Sequence, residues 1–166
     1  MTEKPANGPI LVPIDFSPYS AAALLQAVEL ADALPAPLTV LHVVHDLGEA
    51  PGYYAVKGRK KQLRRMEDVA ADMLDEFMQE TRKKNPGLAA LENAATLLVV
   101  GIPVTRILET AEKIQARLIV MGSQGRTGIS HALLGSKAEQ VVHLARIPVM
   151  IVKDRKGKKA RSAHNA

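Results

Sequence analysis

Five short runs of this chain are apolar at nearly every position: Ile10-Leu11-Val12-Pro13-Ile14, then 38–44, 96–100, 118–121 and 148–152. A strand with one wet face alternates apolar and polar residues. A run that does not alternate belongs to a strand covered on both faces. Between the runs lie segments of helical spacing. One spans 20–34 with Leu24, Leu25, Val28 and Ala31 inward, capped by Ser17 or Ser20 with Pro18 near its start. A long one spans 58–84, with Leu63, Met66, Val69, Ala70, Met73, Leu74 and Phe77 at helical positions and Asn85-Pro86-Gly87 as its stop. Another starts at Pro103 and carries Ile107, Ala111 and Ile114; the last covers 136–145. Residues 45–56, with Gly48, Pro51 and Gly52, read as a loop. Strand and helix thus alternate, which calls for an α/β fold: a parallel sheet with helices on both faces and right-handed crossovers. Pro13 has no N–H to give to a central ladder, so it must stand at a strand end.

Ligands of such sheets bind beyond the carboxyl ends of the strands, near the point where strand order reverses. Three loops meet there on this reading: 13–17, 43–46, and the segment after Met121. The third reads Gly122-Ser123-Gln124-Gly125-Arg126-Thr127-Gly128, then 129–134, then Gly135-Ser136-Lys137 at a helix start. Glycines let a backbone or ligand come close, and a helix N-terminus presents unpaired N–H groups and a positive dipole end. Together they suit an anion, most often phosphate. The same glycines could also serve only as a tight strand-to-helix connection, but four of them with a Gly-Ser step at a helix start favour phosphate.

Composition narrows the classes. With no cysteine, disulfides, thiolate catalysis and cysteine-held metals are excluded. Only 3% of residues are aromatic, which argues against base stacking as the main mode of recognition. His42, His45, His131 and His143 have no metal-ligand spacing, so no protein-held metal is expected. Lys153, Arg155, Lys156, Lys158, Lys159 and Arg161 against Asp154 account for the whole net charge of +5. The basic balance therefore belongs to the end of the chain, not to a nucleic-acid face on the fold. Residues 1–8 read as a flexible leader without the apolar run of a signal peptide, and no stretch approaches the ~20 apolar residues of a membrane span. A cytoplasmic protein with no membrane attachment is expected, with one domain over 9–153 and a basic, disordered tail over 154–166.

The residues at the strand ends carry a resemblance. Gly122-x2-Gly125-x9-Gly135-Ser136 resembles the nucleotide motif of ATP-binding universal stress proteins. Ile10–Ile14 with Asp15-Phe16-Ser17 is similar to their first strand and turn, and Leu41-His42-Val43 to the end of their second strand. Leu118-Ile119-Val120-Met121-Gly122-Ser123 and Ile147-Pro148-Val149-Met150-Ile151-Val152 are similar to their fourth and fifth strands. The resemblance covers about residues 9–153. It implies a Rossmann-like nucleotide-binding fold with strand order 3-2-1-4-5, ATP with Mg²⁺ at the strand ends, and a homodimer through strand Val149–Val152. An exposed apolar edge strand is normally covered, which gives the dimer a physical motive.

The implied nucleotide set is Pro13, Asp15, Val43, Met121, Gly122, Ser123, Gly125, Arg126, Gly135, Ser136 and Lys137. Asp15 would contact the adenosine, or serve as a turn residue. Pro13 and Val43 would wall the adenine, or simply pack. The glycines and Ser123 would line ribose and phosphates. Ser136 would face a terminal phosphate or a Mg²⁺-bound water, or cap its helix. Arg126 and Lys137 would neutralise phosphate charge, or stand in solvent. No catalytic residue stands out, so a nucleotide-dependent regulatory or stress-response switch with little or slow ATPase activity is expected. An enzyme on the same fold and an interaction protein using the basic tail for nucleic acid or acidic partners are the alternatives. The loop of ATP pyrophosphatases is missing after the first strand. A P-loop is missing too, because Ser130 stands where its first glycine belongs. Gly125-Arg126-Thr127-Gly128 matches the loop of KH domains but follows a strand rather than joining two helices. Residues 57–65, with Lys57, Arg59, Lys60, Lys61, Arg64 and Arg65 and no acid, read as a cationic helix start rimming the nucleotide mouth or a partner surface, or as a solvated face.

Overall fold

Strand β1 (Ile10–Ile14) is buried at all five positions and fixes the layers around it. The chain continues through α1 (Pro18–Ala33), β2 (Leu38–His45), β3 (Tyr53–Ala55), β4 (Leu63–Arg65) and α2 (Met66–Lys84). Then come α3 (Ala89–Glu92), β5 (Ala95–Gly101), α4 (Pro103–Lys113), β6 (Leu118–Gly122), α5 (Ser136–Leu144) and β7 (Val149–Val152). The computed structural model describes residues 8–45, 53–55, 63–126 and 134–154, with backbone only for 53–55 and 63–65. Residues 1–7 of the expected leader, the basic residues 57–62, the glycine-segment residues 127–133 and the tail beyond 154 lie outside the described residues, whereas Gly8, the last residue of that leader, is buried.

Five strands form one parallel sheet in the order β5-β2-β1-β6-β7. Counted along the chain within that sheet, this is the expected order 3-2-1-4-5. The side chains split by strand parity into two cores, as a pleated sheet requires. Ile10, Val12, Ile14 and Val40 pack with Leu24, Val28, Leu74 and Met78 of α1 and α2. Leu11, Leu41, Ile119 and Met121 pack with Val104, Ile107, Ala138 and Val141 of α4 and α5. Both faces of the sheet are therefore covered, which is why the strands carry no polar alternation. Among the described residues no helix is long and apolar enough to cross a membrane.

The second helix is shorter than its spacing predicts. It begins at Met66, and Leu63–Arg65 pairs antiparallel with Tyr53–Ala55 instead. Leu63 fits helical spacing, but the strand pairing takes precedence over the local pattern. The residues 53–55 expected as loop are thus the other half of a small hairpin. The correction also removes the cationic helix start: the first turn of α2 carries Glu67 and Asp68, the favourable sign for a helix N-terminus. The four-residue α3 is too short for periodicity to reveal.

Pro13 pairs with Leu41 on β2, whereas the described β1–β6 ladder holds Ile10↔Leu118 and Leu11↔Ile119. Beyond Leu11 β1 stays paired with β2 as far as Ile14, while β6 runs on to Gly122 beside β7. The expected split at the middle of the sheet is in place. Gly122 lets α1 sit against β6 there: a Cβ on it would lie 2.8 Å from the carbonyl carbon and Cβ of Tyr19. Such crowding against backbone has no cheap escape. Gly122→Ala is expected to destabilise the fold by roughly 1–3 kcal/mol, measured by urea unfolding; wild-type stability in that variant would show that α1 is free to shift.

Candidate functional site

The turn after β1 is built by its own short polar side chains. Ser17 caps α1, its Oγ accepting the Ser20 N–H at 3.2 Å, with Pro18 in the first turn where no N–H is needed. Ser20 Oγ donates to the Ser17 carbonyl at 3.0 Å and accepts the Asp15 N–H at 3.3 Å. Asp15 Oδ1 accepts the Ser17 N–H at 3.0 Å. These bonds hold Phe16 at φ +64°, a left-handed conformation that a bulky side chain rarely adopts. Strain of this kind persists only where the surroundings enforce it, and it clusters at functional sites.

The other carboxylate oxygen of Asp15 faces the glycine segment. Oδ2 accepts the Arg126 N–H at 3.1 Å, and a Cβ on Gly125 would lie 2.9 Å from it. A side chain at Gly125 would therefore have to push the Asp15 carboxylate aside. The segment is tied down at both ends. The Ser123 N–H donates to the Val152 carbonyl at 2.8 Å, and the Gly135 N–H to the Ser123 carbonyl at 2.7 Å. A Cβ on Gly135 would sit 3.3 Å from Gln124 Cα.

The structure thus brings Asp15 against Gly125 and the Arg126 amide, and bonds Gly135 to Ser123 along the same segment. Pro13, Val43 and Met121 share the sheet face that α4 and α5 cover: Val43 and Met121 belong to that core, and Pro13 is two residues from Leu11 on the same strand face. Gly122 lies at the end of β6, and its missing side chain makes room for α1. Ser136 and Lys137 are exposed as the first two residues of α5. Ser136 is not the cap; Gly135 holds that position, with no side chain of its own to bond the first turn. The two helix starts at this edge differ accordingly: α1 is capped by the Ser17 side chain, whereas the cap of α5 is a glycine. Such a start, beside a cradle of glycines too tight for side chains, fits a phosphate chain. Among the described residues no group of three His, Asp or Glu is arranged to hold a metal.

His42 completes the turn from behind. It lies on β2 opposite Ile14, with Nδ1 2.9 Å from the Ile14 carbonyl oxygen. Its ring centroid is 4.4 Å from that of Phe16, which in turn meets Phe77 of α2 edge-on at 5.7 Å. The sequence marks His42 only as a core or site-wall histidine; its partner carbonyl is 28 residues away and no local signal names it.

A model of the universal stress protein family matches residues 7–153. The chain belongs to that family. Universal stress protein YxiE of Bacillus subtilis is 36% identical over 155 residues, covering 87% of this chain and 97% of that protein. Universal stress protein MJ0531 of Methanocaldococcus jannaschii is 34% identical over 146 residues, 87% of this chain and 81% of its own. A solved universal stress protein in complex with cAMP superposes with a TM-score of 0.64 at 25% identity, over 89% of this chain and 97% of its own. The five-stranded α/β sheet of this universal stress protein is the one its relatives share.

Burial pushes the His42 pKa below the usual 6.5. The Ile14 carbonyl and the Asp15 charge oppose that shift, and Arg126 adds to it. A folded histidine that refuses a proton costs stability in acid: below about pH 6.5 the unfolded chain binds a proton that the folded chain does not, until the folded pKa is passed. Unfolding free energy is therefore expected to fall as pH drops below 6.5, by at most ~1.4 kcal/mol per pH unit from this group. Urea titrations from pH 7.5 to 5 should show a shallower loss in His42→Asn than in wild type; parallel curves would remove His42 as the source.

Proposed function

We propose that this universal stress protein binds ATP with Mg²⁺ at the split between β1 and β6 and acts as a nucleotide-dependent regulatory switch. The observation that carries the reading is the contact of Asp15 with Gly125 and the Arg126 amide, beside an α5 N-terminus whose cap is a glycine. The cAMP complex of a structurally similar relative supports an adenine nucleotide. Pro13, Val43 and Met121 would flank the base, Asp15 the ribose, and Ser123, Gly125 and Gly135 the phosphates. Ser136 and the α5 amides would receive the terminal phosphate, with Arg126 and Lys137 adding positive charge. Mg²⁺ would come with the nucleotide and neutralise its phosphates. Both oxygens of Asp15 accept amide N–H groups, so this carboxylate is a binding group rather than a free base, which favours binding over turnover. A cytoplasmic place of action is part of the same reading.

The test is thermal unfolding of nucleotide-stripped protein with Mg-ATP and with Mg-GTP. Ligand at 100 times Kd adds about 2.7 kcal/mol, a rise of roughly 5–11 °C for a chain of this size. Asp15→Ala and Ser136→Ala are expected to weaken the response. An absent shift at millimolar Mg-ATP would leave the glycine segment a structural connection only.

We also propose a homodimer through β7. That strand is the sheet edge, and its four apolar residues stay half-exposed in the single chain. Pairing two such edges across a two-fold axis would cover them. Sedimentation at micromolar concentration should give twice the mass of one chain; the single mass would rule the pairing out.

A further inference from the structure

We infer that His42 is the positioning residue of the nucleotide turn, its Nδ1–H holding the Ile14 carbonyl and its ring supporting Phe16, so that Asp15 is delivered to the glycine segment. The inference rests on the nucleotide-binding reading above and assigns a role behind the site rather than in it. Strand parity separates the two. Val43 and Met121 face the α4–α5 core, whereas Phe16 belongs to the opposite core with α1 and α2, and His42 is in ring contact with it. His42 therefore does not stand among the residues proposed to touch the base.

The chemistry of the contact fixes its direction. A carbonyl oxygen can only accept, so Nδ1 carries the proton in the 2.9 Å bond to Ile14. Ile14 is the last residue of β1, and the carbonyl held is the one that leads directly into Asp15. Phe16, next but one, is pinned between the imidazole and Phe77 while its backbone sits at φ +64°. The strained turn is thus gripped from the rear at both sides of Asp15: at the carbonyl before it and at the ring after it. On its front, Asp15 Oδ2 accepts the Arg126 amide. If the rear grip is lost, the turn relaxes and only a fraction of molecules presents Asp15 correctly. Apparent affinity falls by that fraction.

The experiment is calorimetric titration of Mg-ATP into wild type, His42→Phe and His42→Asn, with nucleotide-free melting of each. Phenylalanine keeps a ring and removes the donor. Asparagine places an amide nitrogen on Cγ, where Nδ1 was, and restores the donor without the ring. His42→Phe is expected to bind about five- to tenfold more weakly, the range of one lost hydrogen bond. His42→Asn should stay within about threefold of wild type. Equal binding by wild type and His42→Phe would overturn the inference and leave the nucleotide reading intact. So would equal losses in both variants, since the donor would then not be what matters. Wild-type protein that binds no adenine nucleotide would sink the nucleotide reading and this inference with it. Should His42→Phe fail to fold, ¹⁵N spectra of the wild-type imidazole decide: the Nδ1–H tautomer is expected with and without Mg-ATP, and an Nε2–H tautomer overturns the assignment.

Discussion

Everything in this molecule follows from the burial of β1 on all sides. A strand flanked by β2 and β6, with α1 and α2 over one face and α4 and α5 over the other, has no edge and no wet surface. Covering both faces forces the chain to leave each strand for a helix and return in parallel. The helix after β1 goes to one face and those after β5 and β6 to the other, so the connections part company beside β1. The crevice at that parting is a by-product of how the core is closed, and it lies where the turn after β1 meets the segment after β6.

The Asp15 carboxylate spans the crevice. Asp15 ties its own turn to the glycine segment by accepting Ser17 and Arg126 amides through its two oxygens. The close approach of Gly125 follows, because a side chain there would meet Oδ2. Glycines with the same spacing signature thus have different physical causes: Gly125 yields to a carboxylate and Gly122 to the backbone of α1.

The five sheet strands were legible because two-sided burial is written into composition: Ile10–Ile14 and Leu118–Gly122 admit no polar face to blur the pattern. Ser17 and Pro18 announced the start of α1 through local capping chemistry. The errors fall where long-range pairing competes with a local pattern. Leu63 suits a helix by spacing, yet its partner is Ala55 in a hairpin. Asp15 was legible as a position beside the site, but its bond to Arg126 joins residues 111 apart, which no local signal records. The link from His42 to Ile14 and Phe16 was hidden for the same reason, since neighbouring strands bring together what the chain keeps distant.

The distance along the chain between Asp15 and Arg126 has a consequence of its own. One wall of the crevice follows β1 directly, and the other follows β6, which takes its place beside β1 across most of the sequence. No fragment holding only the first half of the chain contains the site. The crevice therefore exists only where β6 is docked beside β1. Anything held there bridges the two halves of the chain, so its binding energy resists global unfolding rather than the fraying of a loop.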